Sequence, residues 1–143
     1  MAAIRTAKAH WEGSLLEGAG KVNLESSKLG SFDVTWAARS NDKAEGITSP
    51  EELIAAAHST CFSMALSHAL AGAGNAPESI DTTADVTFVP GEGITGIKLS
   101  VNGKVPGLTA DEFAQFAEEA KKNCPVSQAL SGTTITLDVT FTA

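Results

Sequence analysis

Cysteine and arginine are scarce in this 143-residue chain, with two of each. The cysteines, Cys61 and Cys124, are separated by 62 intervening residues. They make neither a disulfide framework nor a Cys-x-x-Cys unit. The N-terminus lacks the apolar run of an export signal, so both read as cytosolic thiols and a cytoplasmic protein is expected. Basic residues are outnumbered: ten Lys and Arg against 17 Asp and Glu leave a net charge of −7. That balance argues against a nucleic-acid partner. Histidine is limited to His10, His58 and His68. His58 and Cys61 share a helix face at i, i+3, but the clustered ligand pairs of a structural zinc site are missing. No metal or other cofactor is expected. Repeats and linkers are missing too, and residues 1–143 read as a single domain large enough to bury a core.

The most informative absence is local. Between Glu52 and Glu78 there is no Asp, Glu, Lys or Arg. The stretch Thr48 to Gly74 reads as one long helix, with Ser49 as N-cap, Pro50 at the first helical position and Glu52 completing a capping box. Gly72 and Gly74 supply the stop. It is long enough to span a membrane, but Ala, Ser, Thr and two His dominate it and no other segment resembles it, so no membrane association is expected. A helix of roughly 36 Å without a charged face needs burial on nearly all sides.

Around this helix the pattern is that of strands. Ala7, Ala9 and Trp11 share one parity, Val22 and Leu24 another, and Phe32, Val34 and Trp36 a third; Gly-rich joints separate them. This predicts an antiparallel meander with one wet face. Arg39 and a polar loop, Ser40 to Thr48, lead into the helix. Beyond it, Ala84-Val86-Phe88 and Ile97-Leu99-Val101 flank Pro90-Gly91-Glu92-Gly93, a predicted hairpin. A second helix starts at Thr109, with a Thr109/Glu112 capping box, a Leu108/Phe113 staple and a buried stripe of Phe113, Phe116, Ala117 and Ala120. Pro125 ends it. Ile135, Leu137, Val139 and Phe141 alternate in a closing strand. The order β-β-β-α-β-β-α-β places the chain in the α+β class. One sheet with a wet face covers only one side of the long helix, and a second subunit is the economical cover for the rest.

Cys61 in an apolar helix is by default a small buried hydrophobe, its thiol pushed up by desolvation and inert. Reactivity requires a cation at close range. Arg5 and Arg39 are the two on offer, and Arg39, just before the long helix, is the better placed. A buried Arg in turn wants a carboxylate, and Glu51 is available for it.

Two stretches decide between these readings. Ser49 to Leu66, SPEELIAAAHSTCFSMAL, resembles the signature helix of the OsmC/Ohr family of thiol-dependent hydroperoxide reductases, and Asn123-Cys124-Pro125-Val126-Ser127 resembles its second cysteine motif. Ala9-His10-Trp11-Glu12-Gly13 and the Thr-rich last strand extend the likeness over essentially the whole chain. The resemblance implies an intertwined homodimer, in which two antiparallel six-stranded sheets wrap two long central helices. It further implies Cys61 as the peroxidatic cysteine, Cys124 as the resolving cysteine and an Arg–Glu pair activating the thiolate. That pair carries over onto Arg39 and Glu51, as in the OsmC branch, where the arginine comes from the loop before the helix. The implied reaction reduces an alkyl or fatty-acid hydroperoxide through a Cys61 sulfenic acid and a Cys61–Cys124 disulfide. A dithiol of dihydrolipoyl type then recycles the pair. Two alternatives stand beside it, a redox sensor and a small-molecule or lipid-binding module on the same fold.

Overall fold

The computed structural model describes Met1–Ala143, which form two compact units, Met1–Leu53 and Ile54–Ala143. The elements run β1 (Lys8–Glu12), β2 (Ala19–Asn23), β3 (Ser31–Val34), α1 (Trp36–Ser40), α2 (Pro50–Gly72), β4 (Ser79–Val89), β5 (Gly93–Lys104), α3 (Ala110–Asn123), α4 (Pro125–Ala129) and β6 (Ile135–Thr142). The class is α+β, with two three-stranded sheets.

In the first unit β1, β2 and β3 form the antiparallel meander that the alternation predicts, with Ala9 opposite Val22 and Val22 opposite Phe32. The third strand is shorter than its pattern. It ends at Val34, because Thr35 turns the chain into α1 by accepting the Ala38 N–H on its hydroxyl at 3.1 Å. Trp36 therefore lies on a helix rather than a strand, and Arg39 sits in the last turn of α1 rather than in a loop. The cap supplies one of the acceptors that the orphan N–H groups of a helix start need. No residue of β1 is buried, and Trp11, Leu15, Leu16, Leu29 and Phe32 are all exposed.

The long helix α2 starts and stops where its sequence signals place it. Ser49 Oγ accepts the Glu52 N–H at 3.2 Å, while the Glu52 carboxylate accepts from the Thr48 hydroxyl at 2.5 Å, which leaves the predicted capping box half made. At the other end Gly74 takes φ +87°, and the Gly74 and Asn75 N–H groups reach back to the Ala71 and Leu70 carbonyls at 3.0 and 2.9 Å. This left-handed closure is cheap only for glycine. Thr60 and Ser63 return their hydroxyls to the carbonyls four residues earlier, so these hydroxyls are satisfied within the helix.

Burial of α2 is one-sided, not all-round as its composition suggested. His58, Phe62, Leu66 and Leu70, spaced by four, are fully buried, whereas Ala56, Ala57, Thr60, Met64 and His68 are exposed. The reason is supply: Phe62, Leu66 and Leu70 join Leu99 and Val101 of β5 and Phe113, Ala117 and Ala120 of α3 in one core. Each of the larger side chains buried there contributes about 1.5–3 kcal/mol. Nothing within Ile54–Ala143 covers the far face.

The second sheet has the order β4-β5-β6. Its hairpin turns at Pro90-Gly91, with the Glu92 N–H on the Val89 carbonyl at 2.9 Å and Gly91 at φ +87°. Pro then Gly is the pair this turn geometry selects. The expected all-antiparallel pairing does not hold, because β6 runs parallel to β5. The α3–α4 crossover between them carries the chain back to the end from which β5 started, as a parallel connection requires. Both halves of the Thr109/Glu112 capping box are present. The Thr109 N–H and hydroxyl hold the Glu112 carboxyl below the usual carboxylate range.

Gly103 shows how tightly α3 sits. A Cβ there would lie 2.2 Å from the Phe113 ring, which is itself fully buried and packed on Phe141 at a centroid distance of 5.1 Å. The ring has no free direction in which to retreat. Gly103→Ala is therefore expected to destabilise the protein by about 1–3 kcal/mol, as overpacked cores do. Urea denaturation checks this, and an unchanged midpoint would show that α3 shifts freely on the sheet.

Candidate active site

Cys61 and Cys124, so distant in sequence, meet within hydrogen-bonding reach in the second unit. α2 delivers Cys61 from its middle, and the α3–α4 junction delivers Cys124. The junction exists because Pro125 cannot continue α3 and is well suited to begin α4, leaving Cys124 as C-cap of one helix and N-cap of the next. Both sulfurs are free thiols; Cys124 is fully buried and Cys61 half-buried.

The two environments differ in kind. Burial pushes the Cys61 thiol up, the Val126 N–H opposes this only in part, and the neighbouring Cys124 sulfur adds to the rise. Burial acts on Cys124 in the same direction. There it is outweighed by the Ser127 N–H, the Cys61 thiol, the Ser127 hydroxyl and the Val126 N–H, which together pull Cys124 below the ordinary thiol value.

Arg39 and Glu51 meet in the first unit. Arg39 Nε lies 3.1 and 3.2 Å from the two Glu51 oxygens, and a terminal guanidinium nitrogen lies 2.8 Å from Oε1. Glu51 is buried in the first turn of α2, and the Arg39 side chain keeps 32% exposure. Such a two-toothed contact fixes the guanidinium plane. Arg39 also borders an apolar cavity of about 460 Å³, walled by Trp11, Leu15, Val22, Val34, Trp36 and Leu53. The other arginine, Arg5, is exposed and donates only to the adjacent Ile4 carbonyl at 3.0 Å.

The structure thus brings the four residues of the sequence reading together as two pairs, one in each unit. Two further residues of the sulfur site carried no role in that reading. His58 figured only as a possible metal ligand, and Ser127 only as part of the second cysteine motif. His58 Nε2 lies 2.7 Å from Ser127 Oγ, and both side chains are buried. The signal was an imidazole on the Cys61 face of α2 and a hydroxyl in the first turn after Cys124.

An α+β fold with a paired thiol site defines the class of the protein, and comparison with known proteins gives its family. Residues 40–140 match the OsmC-like protein family. The chain is 47% identical over 136 residues to the peroxiredoxin OsmC of Escherichia coli, covering 92% of each sequence. It is 35% identical over 101 residues to the organic hydroperoxide resistance protein OhrA of Bacillus subtilis, covering 69% of each. A crystal structure of an organic hydroperoxide resistance protein from Elizabethkingia anophelis superposes with a TM-score of 0.70 at 25% identity, over 99% of this chain and all of that one. The chain belongs to the OsmC-like family.

Proposed function

We propose that the protein is a cysteine-based peroxidase that reduces organic hydroperoxides to alcohols, its two units acting as one OsmC-like domain over residues 1–143. The carrying observation is the approach of two free thiols within a core that holds no other cysteine. The Cys61 thiolate attacks the terminal peroxide oxygen, the O–O bond breaks, and the alcohol leaves after taking up a proton. Cys61 becomes a sulfenic acid. Cys124, already at hydrogen-bonding distance, displaces its hydroxide to form a disulfide, and an external dithiol restores both thiols by exchange. Arg39, oriented by Glu51, serves the thiolate and the charge that develops on the leaving oxygen.

The apolar cavity beside Arg39 favours an alkyl or fatty-acid hydroperoxide over hydrogen peroxide, which has no apolar part to bury. The exposed face of α2 and the exposed apolar residues of the first unit support a second copy of the chain as partner, in the family's homodimer.

The test is a peroxidase assay with cumene, tert-butyl and hydrogen peroxides, each run with dihydrolipoamide and with glutathione. The expected outcome is turnover with the dithiol and a kcat/KM at least tenfold higher for the organic substrates. Stoichiometric binding of fatty acid without peroxide consumption would favour a binding module instead.

A further inference from the structure

The peroxide chemistry leaves His58 unused. It lies one turn before Cys61, is fully buried, and places Nε2 2.7 Å from Ser127 Oγ. Its Nδ1 is buried without a partner. An apolar side chain of similar size would fill the space without that cost, so packing alone does not account for an imidazole here. The unpartnered nitrogen also selects the tautomer. A buried N–H without an acceptor is rarer in proteins than a buried lone pair without a donor, so the proton belongs on Nε2. Burial keeps the ring neutral by pulling its pKa below the ordinary histidine value. Nε2–H then donates to the Ser127 oxygen. The Ser127 hydroxyl, its oxygen engaged from behind, directs its own proton to the Cys124 sulfur, with which it hydrogen-bonds.

We infer that His58 and Ser127 form a donor chain, from His58 Nε2–H to Ser127 Oγ–H to Cys124 Sγ, that stabilises negative charge on Cys124 for the resolving step. The inference rests on the reading of Cys124 as the resolving cysteine. In that step the Cys124 thiolate attacks the sulfur of the Cys61 sulfenic acid. The S–S bond forms, the S–O bond breaks, and the departing hydroxide takes a proton from solvent to leave as water. The peroxide has already supplied the oxidising equivalents, and His58 ends with the proton it began with. His58 is a positioning residue that acts through Ser127. The titratable groups facing Cys124 in this network are Cys61 directly and His58 one hydrogen bond removed.

The test reads the Cys124 thiolate without peroxide, as the pH profile of iodoacetamide alkylation in the Cys61→Ser background. Adding Ser127→Ala or His58→Phe is expected to raise the midpoint by about one unit or more, the size of a lost hydrogen bond to a charged group. Ser127→Thr and His58→Gln, which keep a hydroxyl and an N–H at those places, are expected to hold the midpoint near its starting value. In proteins that retain Cys61, disulfide formation after one equivalent of cumene hydroperoxide should slow at least tenfold near neutral pH in the Ser127→Ala variant and recover as pH rises. Should His58→Phe fail to fold, Ser127→Ala decides alone. An alkylation midpoint unmoved by Ser127→Ala overturns the donor chain. A parent protein whose Cys61 survives the peroxide overturns the peroxidase reading instead, and the two failures are told apart because alkylation needs no peroxide.

Discussion

Cys61→Ser is expected to abolish peroxide reduction, whereas Cys124→Ser should consume one equivalent of organic hydroperoxide and then stall. A serine hydroxyl at position 61 neither ionises near neutral pH nor accepts an oxygen atom from a peroxide, so the loss should be complete. In the Cys124→Ser protein the sulfenic acid forms but meets no thiol, and excess peroxide should drive it to the sulfinic acid, a gain of two oxygens visible by mass spectrometry. The acidity order of the resting pair runs against these roles, since burial and the neighbouring sulfur push Cys61 up while hydrogen bonds pull Cys124 down. The proton must leave Cys61 before attack. The two single variants separate the possible assignments. A Cys61→Ser protein that still reacts once, beside an inert Cys124→Ser protein, would exchange the roles of the two sulfurs.

The second large effect is expected at Arg39. Arg39→Ala should lower the rate of Cys61 oxidation on the order of a hundredfold or more, the scale on which preorganised charge stabilisation acts in enclosed sites. It should also cost stability, because Glu51 is 7% exposed and would lose its counter-ion. Breaking a fully buried pair costs roughly 3–5 kcal/mol; since the Arg39 side chain keeps 32% exposure, a loss of about 2–3 kcal/mol is expected here. Arg39→Lys separates the two effects. It retains the charge and much of the stability, but without the planar fork it should recover little of the rate. Arg5→Ala, whose guanidinium contacts only a neighbouring carbonyl, should leave both quantities unchanged. Single-turnover oxidation followed by mass spectrometry, alongside urea melts, measures both. Oxidation at the parent rate in a folded Arg39→Ala protein would remove Arg39 from the mechanism.

Much of this protein is legible without coordinates, where the information is local. The alternation of Ile135, Leu137, Val139 and Phe141 gives β6 its half-buried face, residue by residue. Thr109 and Glu112 start α3, and Gly74 closes α2, because capping groups act within a few residues of the backbone they serve. Local patterns misled where two of them competed. Trp36 keeps the parity of β3, yet the Thr35 cap wins and starts α1. Glu52 was spaced to close a capping box, but the Thr48 hydroxyl takes its carboxylate.

What the sequence by itself determined was the six strands and the two longer helices, the two cysteine motifs, the family they point to, and the candidacy of Arg39 and Glu51. All of these follow from residue type at short spacing. Only the tertiary structure decided that β6 joins β5 in parallel, that a single chain buries one stripe of α2, and that Cys124 rather than Cys61 is the more acidic sulfur. The physical reason is common to all three. Strand direction, burial and acidity depend on groups brought together across long stretches of chain. The His58–Ser127 contact, spanning 69 positions, has no signature in the residues between.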